Sequence, residues 1–134
     1  LPQLIQKALQ GVKAHPKGLV PFPIQGDGSQ TRAFIYIDDM IDGIELLLEK
    51  GKHLNVYHIG NPEEISIKTL AQKIGRCFHR EFTIVSEPLP SGSTQRRCPN
   101  IEKMKALGFY PKTSIDQGLI STIEWYKTQE LSHV

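Results

Sequence analysis

The sequence predicts a single α/β domain. Segments with apolar residues at helical spacing alternate with short runs rich in β-branched and aromatic residues, an order typical of α/β or α+β proteins rather than of helical bundles. Glycine, proline and asparagine separate these segments, and no internal repeat is visible. A length of 134 residues suits one domain, residues 1–134, and is long enough to bury a hydrophobic core.

The patterns predict about four to five helices joined to short strands. The helices share an apolar stripe and cover residues 4–11, 39–51, 66–78, 100–107 and 114–126. The strands share extended apolar or aromatic sequence and cover residues 22–25, 34–37, 56–59 and 82–85. Proline in the first strand predicts an edge strand or a lone strand. Residues 12–18 and 88–94 are rich in polar residues and breakers, which predicts loops.

Polar residues at the predicted helix starts indicate capping. Ser66 and Asn100 each precede an apolar periodic segment, and residues 114–117 have the spacing of a capping box. The paired carboxylates at 38–39 and 63–64 also stand where negative charge would stabilise a helix start. Capping is therefore favoured over acid–base chemistry for both pairs.

The composition excludes several classes of protein. The formal net charge of +2 is too small to suggest a nucleic-acid protein by itself. Two cysteines fit a reduced, cytoplasmic protein better than a disulfide-stapled secreted one. No apolar run approaches the length of a membrane span, and no signal peptide is visible. We therefore expect neither a membrane nor a nucleic acid as partner.

Familiar catalytic motifs are also missing from the sequence. It contains no Gly-x-Gly-x-x-Gly after a strand, no Gly-x-Ser-x-Gly and no P-loop lysine motif. The five histidines, which include His133, are scattered, and only Cys77 and His79 bring two potential metal ligands close together. Two ligands at one helix end make a poor zinc site without further partners. The sequence therefore assigns no catalytic residue, no cofactor-binding residue and no metal ligand.

Arg32 is the most informative cation in the chain. It follows a glycine-flanked acidic turn, residues 26–31, and directly precedes an alternating apolar run. Loops and turns on a rigid scaffold often carry function. The planar guanidinium of arginine can bind two oxygens of a phosphate or diphosphate at once. The spacing favours an anion-binding role, while a surface hairpin with a solvated arginine stays open as the alternative.

A second basic element, Arg96–Arg97, lies before a proline and a predicted helix cap. One of these two side chains is free to turn inward from an extended loop. Together with Arg32, the element would grip a diphosphate from two sides. Glycines at 26, 28 and 92 would let the backbone approach such a ligand.

A family resemblance runs in order through nearly the whole chain. It begins with the 4–11 helix and continues through Gly26-Asp-Gly-Ser-Gln-Thr-Arg32, Phe34-Ile-Tyr-Ile-Asp-Asp39, Tyr57-His-Ile-Gly-Asn-Pro-Glu63, Arg97-Cys-Pro-Asn100, Leu107-Gly-Phe-Tyr-Pro111, Gly118-Leu119 and Ile123-Glu-Trp-Tyr126. The order and spacing resemble the carboxyl-terminal substrate-binding lobe of extended short-chain dehydrogenases/reductases. These are the epimerases, dehydratases and decarboxylases of nucleotide sugars.

The resemblance implies specific roles. Arg32 and Arg97 would bind the diphosphate of a nucleotide sugar, with Arg96 beside them as a further substrate-binding candidate. The short strand Phe22-Pro23-Ile24 would lie along the nucleotide base.

The sequence departs from the family pattern at several positions. Ala33 replaces the aspartate frequent in epimerases and is nearer the decarboxylase pattern. Gln25 replaces an aromatic residue, and His58 replaces a frequent asparagine and is expected to be a core histidine.

The resemblance also implies a missing half. In the family, an amino-terminal Rossmann domain binds NAD and carries the catalytic Tyr-x-x-x-Lys, and neither feature occurs here. We expect the chain to be a small substrate-binding lobe cut from an NAD-dependent homodimeric enzyme, inactive alone. A free-standing nucleotide- or anion-binding domain is the alternative, and an RNA-binding module is a third possibility. The base, the sugar and the reaction stay open.

Overall fold

The computed structural model describes residues 1–131, which form a small α/β domain. The helices are α1 (Pro2–Ala14), α2 (Ile37–Lys50), α3 (Ile67–Cys77), α4 (Glu102–Lys105) and α5 (Ile115–Leu131). The strands are β1 (Val20–Gln25), β2 (Thr31–Ala33), β3 (Glu64–Ser66), β4 (Phe82–Glu87) and β5 (Arg96–Arg97). The predicted fold class is confirmed. Within the described helices, none has the length and apolar character that a bilayer span requires.

The main hydrophobic core lies between three helices and a two-stranded sheet. Helices α1, α3 and α5 pack on one another, and β1 pairs in parallel with β4. Phe22 and Phe82 stack across this sheet with ring centroids 4.8 Å apart. Burying such side chains contributes about 1.5–3 kcal/mol each. The other buried members are Ile5, Ala8, Leu9, Val20, Ile24, Leu70, Ala71, Ile74, Leu119 and Ile123.

The alternation within β1 explains why two prolines fit there. Val20, Phe22 and Ile24 are buried, whereas Pro21 is exposed and Pro23 half-buried. With two strands, this sheet leaves one side of each strand unpaired, so a residue without an N–H is tolerated. The predicted edge strand is thus confirmed, and so is the predicted strand at 82–85.

A second, smaller core joins the middle of the chain to its last third. Ile101, Met104 and Phe109 are buried there, with Tyr57 and Ile59 packed against them. Helix α2 approaches this core closely because Gly43 has no side chain. A Cβ at that position would come within 2.5 Å of Ile59 and 3.0 Å of Phe109.

The two strands predicted at 34–37 and 56–59 were wrong. Strand β2 ends at Ala33 and α2 begins at Ile37, so the apolar run between them is an irregular connection. Residues 56–59 pair with no strand in the described part of the chain. An alternating sequence forms a strand only where a neighbour supplies hydrogen bonds. The expectation of a core histidine was also wrong, because His58 is exposed.

The outcome for the predicted caps is mixed. The Ser66 hydroxyl accepts from the Thr69 amide at 3.1 Å, and Ser114 and Gln117 form the predicted capping box. Asn100 Oδ1 accepts from the Glu102 amide at 3.0 Å, but the N-cap position of α4 is Ile101, one residue after the predicted cap.

Neither carboxylate pair supplies an N-cap, so that part of the interpretation was wrong. Asp38 and Asp39 do lie in the first turn of α2, which confirms the predicted negative charge at that helix start, whereas the 63–64 pair lies outside the first turn of α3. Helix α2 has Tyr36 at its N-cap without a side-chain hydrogen bond, and Glu64 lies inside β3.

Helix α1 continues to Ala14, past the stop predicted at Gly11. A Cβ on Gly11 would lie 2.9 Å from Val20, so this glycine serves close packing rather than termination.

Asp39 ties α2 to the segment before α5. Its carboxylate accepts from the backbone amides of Lys112, at 3.1 Å, and Thr113, at 2.9 Å, and the residue is 3% exposed. Burial raises the pKa of Asp39, but the donated hydrogen bonds outweigh burial and leave the pKa below its ordinary value. The charged form is therefore part of the folded state.

Replacing this carboxylate should destabilise the chain. We expect Asp39→Ala to lower the free energy of unfolding by about 2–3 kcal/mol, because two backbone donors lose a charged acceptor. Asp38→Ala, at the exposed neighbour, should change it by less than about 0.5 kcal/mol. Urea unfolding at pH 7 would measure both values.

The effect of Asp39→Ala should depend on pH in one direction. The pKa of Asp39 is lower in the folded chain than in the unfolded chain, where it is about 3.9. The stabilisation that this carboxylate gives the fold is therefore complete above the unfolded pKa and is lost as the pH falls through the folded pKa. The stability gap between wild type and Asp39→Ala should therefore narrow below about pH 4. A gap that widens on acidification would contradict this assignment.

Candidate functional site

A cleft of about 450 Å³ lies between α1, the end of β1 and the three-stranded sheet. Three cations line it: Lys7 from α1, Arg32 from β2 and Arg97 from β5. Its other walls are mixed polar and apolar, formed by Leu1, Gln3, Leu4, Pro23, Ile24, Gln25, Gln30, Phe34 and Ile67. The arrangement suits an anionic ligand with an uncharged portion.

Strand pairing brings Arg32 and Arg97 together. In the sheet order β3-β2-β5, β2 runs parallel to β5, and Arg32 and Arg97 are register partners. Side chains of register partners stand on the same face of a sheet, and successive residues alternate between faces. Two cations that are 65 positions apart in sequence thus enter the same cleft.

The guanidinium of Arg32 holds the chain that leads into β5. Its Nη1 donates to the carbonyl of Thr31 at 2.6 Å and to that of Gln95 at 3.4 Å, and its Nη2 donates to Thr94 at 2.8 Å. A guanidinium has five N–H donors, so two remain for a ligand. Among residues 1–131, nothing accepts a hydrogen bond from the Arg97 guanidinium.

Arg96 points away from the cleft and pairs with Glu64. Its Nε lies 2.9 Å from Oε1 and 3.1 Å from Oε2, and its Nη2 lies 2.5 Å from Oε1. The Thr31 hydroxyl donates to the same carboxylate at 2.8 Å. The hydrogen bonds from Arg96, and then that from Thr31, lower the pKa of Glu64. The structure therefore separates Arg96 from the other two arginines.

The predicted base-binding strand lies only partly in the cleft. Pro23 and Ile24 line it, whereas Phe22 is fully buried against Phe82 on the core side of β1. A ligand in the cleft can touch the half-buried Pro23, whereas Ile24 is 1% exposed and lies with Phe22 on the core face of β1.

Lys7 was missed from the sequence. Its Nζ donates to the Pro23 carbonyl at 3.1 Å and lies 3.5 Å from the Glu87 carboxylate. A lysine on the polar side of an amphipathic helix gives no local signal of a site. Only the packing of α1 against β1 brings Lys7 to the cleft.

The glycine turn before β2 is a packing feature. Gly28 has φ +80°, and a Cβ there would lie 2.6 Å from Ile24 Cδ1 and 3.1 Å from the Lys68 backbone nitrogen. The Lys68 amide donates to the Gly28 carbonyl at 2.9 Å, which joins the turn to the start of α3. Gly92 has φ +78° with open space around it.

No cluster of metal ligands accompanies the cleft in the described part of the chain. Residues 1–131 contain no group of three or more His, Cys, Asp or Glu placed to hold a metal ion. His133 lies outside the described residues. Cys77 and Cys98 are free thiols, and burial is the main cause that raises the pKa of Cys77. What the cleft offers chemically is anion binding and orientation.

A second surface hollow would repel an anion. It lies between α2 and residues 108–112 and is lined by the carboxylates Asp42, Glu45 and Glu49. Lys112 is present there but pairs with Asp42 at 2.7 Å. Of these two hollows, electrostatics favours the cleft of Arg32 and Arg97 for a negatively charged ligand.

Comparison with known proteins identifies the family. Residues 1–60 match the NAD dependent epimerase/dehydratase family. UDP-glucuronic acid decarboxylase 2 of Arabidopsis thaliana is 35% identical over 100 residues, which cover 74% of this chain and 22% of that protein. UDP-N-acetyl-alpha-D-glucosaminuronate decarboxylase of Bacillus cytotoxicus is 31% identical over 137 positions, covering 97% of this chain and 40% of that protein. The chain belongs to the NAD dependent epimerase/dehydratase family.

Solved structures of family members extend the likeness to the fold. UDP-glucuronic acid 4-epimerase of Bacillus cereus, in complex with UDP-glucuronic acid and NAD, superposes with a TM-score of 0.80 at 29% identity, covering 94% of this chain and 38% of that one. UDP-glucose 4-epimerase of Thermotoga maritima, with UDP-glucose, gives a TM-score of 0.82 at 25% identity over 96% of this chain and 39% of that one. The resemblance seen in the sequence is confirmed.

The chain spans only part of its relatives. Among the curated relatives it covers between 16% of a trifunctional Arabidopsis thaliana enzyme and 40% of the Bacillus cytotoxicus decarboxylase. Homologues in this family are NAD-dependent decarboxylases, epimerases and dehydratases of nucleotide sugars.

The glycine turn gives a testable expectation with a matched control. Gly28→Ala should lower the free energy of unfolding by about 2–4 kcal/mol, since it adds overpacking to the strain of a positive φ. Gly92 has nearly the same φ as Gly28 but open space around it, so we expect Gly92→Ala to lower the free energy of unfolding by about 1–2 kcal/mol, from backbone strain alone. Urea unfolding of both variants would measure the difference, and equal losses would contradict the packing role of Gly28.

Proposed function

We propose that the chain is the substrate-binding lobe of an NAD-dependent epimerase, dehydratase or decarboxylase of a nucleotide sugar, and that the cleft binds the diphosphate. The observation that carries this proposal is the register pairing of Arg32 with Arg97, which directs two guanidinium groups into one cleft. A diphosphate has enough negative charge and enough oxygens to engage both groups. The three lining residues proposed for the nucleoside side are Pro23, Ile24 and Lys7.

The proposed class of substrate is a UDP-sugar. This narrower statement rests on relatives named for UDP-sugars and on their structures with UDP-glucuronic acid and UDP-glucose. The described cleft contributes charge and shape. In this role the arginines use binding energy to hold the sugar in place for groups supplied elsewhere.

The residues of this chain do not fit NAD. The turn after β1 has glycines at 26 and 28 but Thr31 where the fingerprint needs the third glycine, and it leads into β2 instead of a helix. We therefore place NAD, the catalytic tyrosine and lysine, and the reaction itself in a separate NAD-binding domain of the parent enzyme. The parent is proposed to be cytoplasmic, which fits two free cysteines, and homodimeric as the family resemblance implies.

An exposed apolar stripe on α2 supports a missing partner domain. Ile37, Ile41, Ile44 and Leu48 are 60%, 46%, 41% and 83% exposed and recur at helical spacing along one face. The nearby run 56–59 is extended sequence without a strand partner among the described residues. Such a contiguous face marks an interaction surface, and we propose that the NAD-binding domain covers it.

The proposed arginine clamp, formed by Arg32 and Arg97, predicts that replacing either arginine lowers the affinity of the full-length enzyme for its substrate. Arg32→Ala and Arg97→Ala should each weaken UDP-glucose binding by roughly tenfold or more, because each removes a charge-assisted contact of about 1.5–3 kcal/mol. Calorimetric titration would measure this, with GDP-mannose and dTDP-glucose testing the choice of nucleotide. Arg76→Ala, at an exposed arginine of α3 outside the cleft, is the control and should bind like wild type.

Two outcomes bear directly on the clamp and its alternative. If both cleft variants bind like wild type, the diphosphate assignment is wrong. If the 134-residue chain alone binds UDP-glucose as tightly as the full-length enzyme, a free-standing nucleotide-binding domain becomes the better description.

The apolar stripe predicts self-association of the chain when it is prepared alone. Ile41→Lys together with Leu48→Lys should shift sedimentation toward monomer, because two charges interrupt the exposed face. Ile120→Lys, at a residue of α5 that is 56% exposed, is the matched control and should not change the sedimentation. A wild-type chain that sediments as a clean monomer would count against a missing partner on α2.

A further inference from the structure

The direction of Arg97 depends on a very short strand. Strand β5 consists of two residues, which pair with Thr31 and Arg32 of β2. The Thr31 amide also donates to the Gln95 carbonyl at 2.9 Å. So few backbone bonds hold a strand weakly, and side chains must contribute to its placement.

Side-chain bonds hold β5 from both faces of the sheet. On the cleft face, Arg32 donates to the carbonyls of Thr94 and Gln95. On the opposite face, Arg96 makes a forked pair with Glu64. Glu64 belongs to β3, so this pair reaches across β2 and joins the two outer strands.

The Arg96–Glu64 pair is suited to fixing geometry. The Glu64 side chain is 26% exposed and the Arg96 side chain 69%, and ion pairs this open to water contribute little to global stability. A forked arginine–carboxylate pair is nevertheless directional. It keeps Arg96 on one face, and strand alternation then requires its neighbour Arg97 to face the cleft.

We propose that Glu64 and Arg96 are positioning residues for nucleotide-sugar binding: their pair holds β5 in the register that presents Arg97 to the diphosphate. This inference rests on the proposed function of the cleft. It assigns Arg96 a role different from the direct substrate contact expected from its position beside Arg97.

The effect of removing the Glu64 charge distinguishes a positioning role of Arg96 from direct contact between Arg96 and the diphosphate. If Arg96 itself bound the diphosphate, Glu64 would compete for it, and removing that carboxylate would strengthen binding of an anion. If the pair positions Arg97, removing the same carboxylate weakens binding even though a negative charge has been taken away. The sign of the change with Glu64→Ala decides between the two roles.

The test uses the full-length enzyme and UDP-glucose in calorimetric titrations. We expect Glu64→Ala and Arg96→Ala each to weaken binding roughly three- to tenfold, the size of coupling seen between residues in contact. Asp42→Ala, which removes the acid of another exposed ion pair outside the cleft, should bind like wild type. Circular dichroism and urea midpoints check the fold, and Glu64→Gln replaces Glu64→Ala if the latter is not folded.

Two double variants test that the effect passes through Arg97. Adding Glu64→Ala to Arg97→Ala should weaken binding no further, because the positioned group is already gone. Exchanging the charges, with Glu64→Arg and Arg96→Glu together, should recover affinity relative to either single change. A merely destabilised fold would show neither result.

Each outcome has a defined consequence. Wild-type or tighter binding by Glu64→Ala, with weakened binding by Arg97→Ala, overturns the positioning role and leaves the proposed function intact. Wild-type binding by Arg97→Ala overturns the positioning role and the assignment of Arg97 to the diphosphate, and wild-type binding by Arg32→Ala as well overturns the proposed function. A further loss when Glu64→Ala is added to Arg97→Ala also contradicts positioning through Arg97.

Discussion

Register between β2 and β5 is the constraint on which the candidate site depends, because it sets the directions of three arginines at once. Arg32 and Arg97 stand on the cleft face and Arg96 on the other. Side chains alternate along a strand, so a slip of one residue would exchange Arg96 with Arg97. Glu64 favours the observed register because its carboxylate accepts hydrogen bonds from two nitrogens of Arg96. Arg32 favours the same register by donating hydrogen bonds to the carbonyls of Thr94 and Gln95, which precede β5.

The apolar residues divide the domain into a self-contained half and a half that leaves surface uncovered. Helices α1, α3 and α5 bury their apolar faces against one another and against β1 and β4. Helix α2 packs only part of its apolar surface on the small core around Phe109 and exposes the stripe that ends at Leu48. The candidate site is built from elements of both groups: α1 and β1 supply one wall, and β2 and β5 supply its arginines.

This division supports the proposal that the chain is a lobe that orients a substrate for chemistry performed by another domain. The cleft has fixed cations and mixed walls, and the described residues place no cluster of possible metal ligands beside it. A site of that kind contributes to rate by holding a ligand in a productive position. Relatives in the family are named for different reactions, decarboxylation and epimerisation, of UDP-sugars, which is why the proposed function concerns binding rather than one reaction.

The sequence alone determined the fold class, the helices and the caps at Ser66 and Ser114, because these depend on local periodicity and local hydrogen bonding. The order of its short motifs also determined the family. It misplaced the strands at 34–37 and 56–59, since strand formation depends on a partner that local sequence does not reveal. The family resemblance singled out Arg32 and Arg97, but the residue pattern by itself did not say which of Arg96 and Arg97 turns inward. Tertiary structure decided that choice, because only the pairing of β5 with β2 and of Arg96 with Glu64 fixes which arginine faces the cleft.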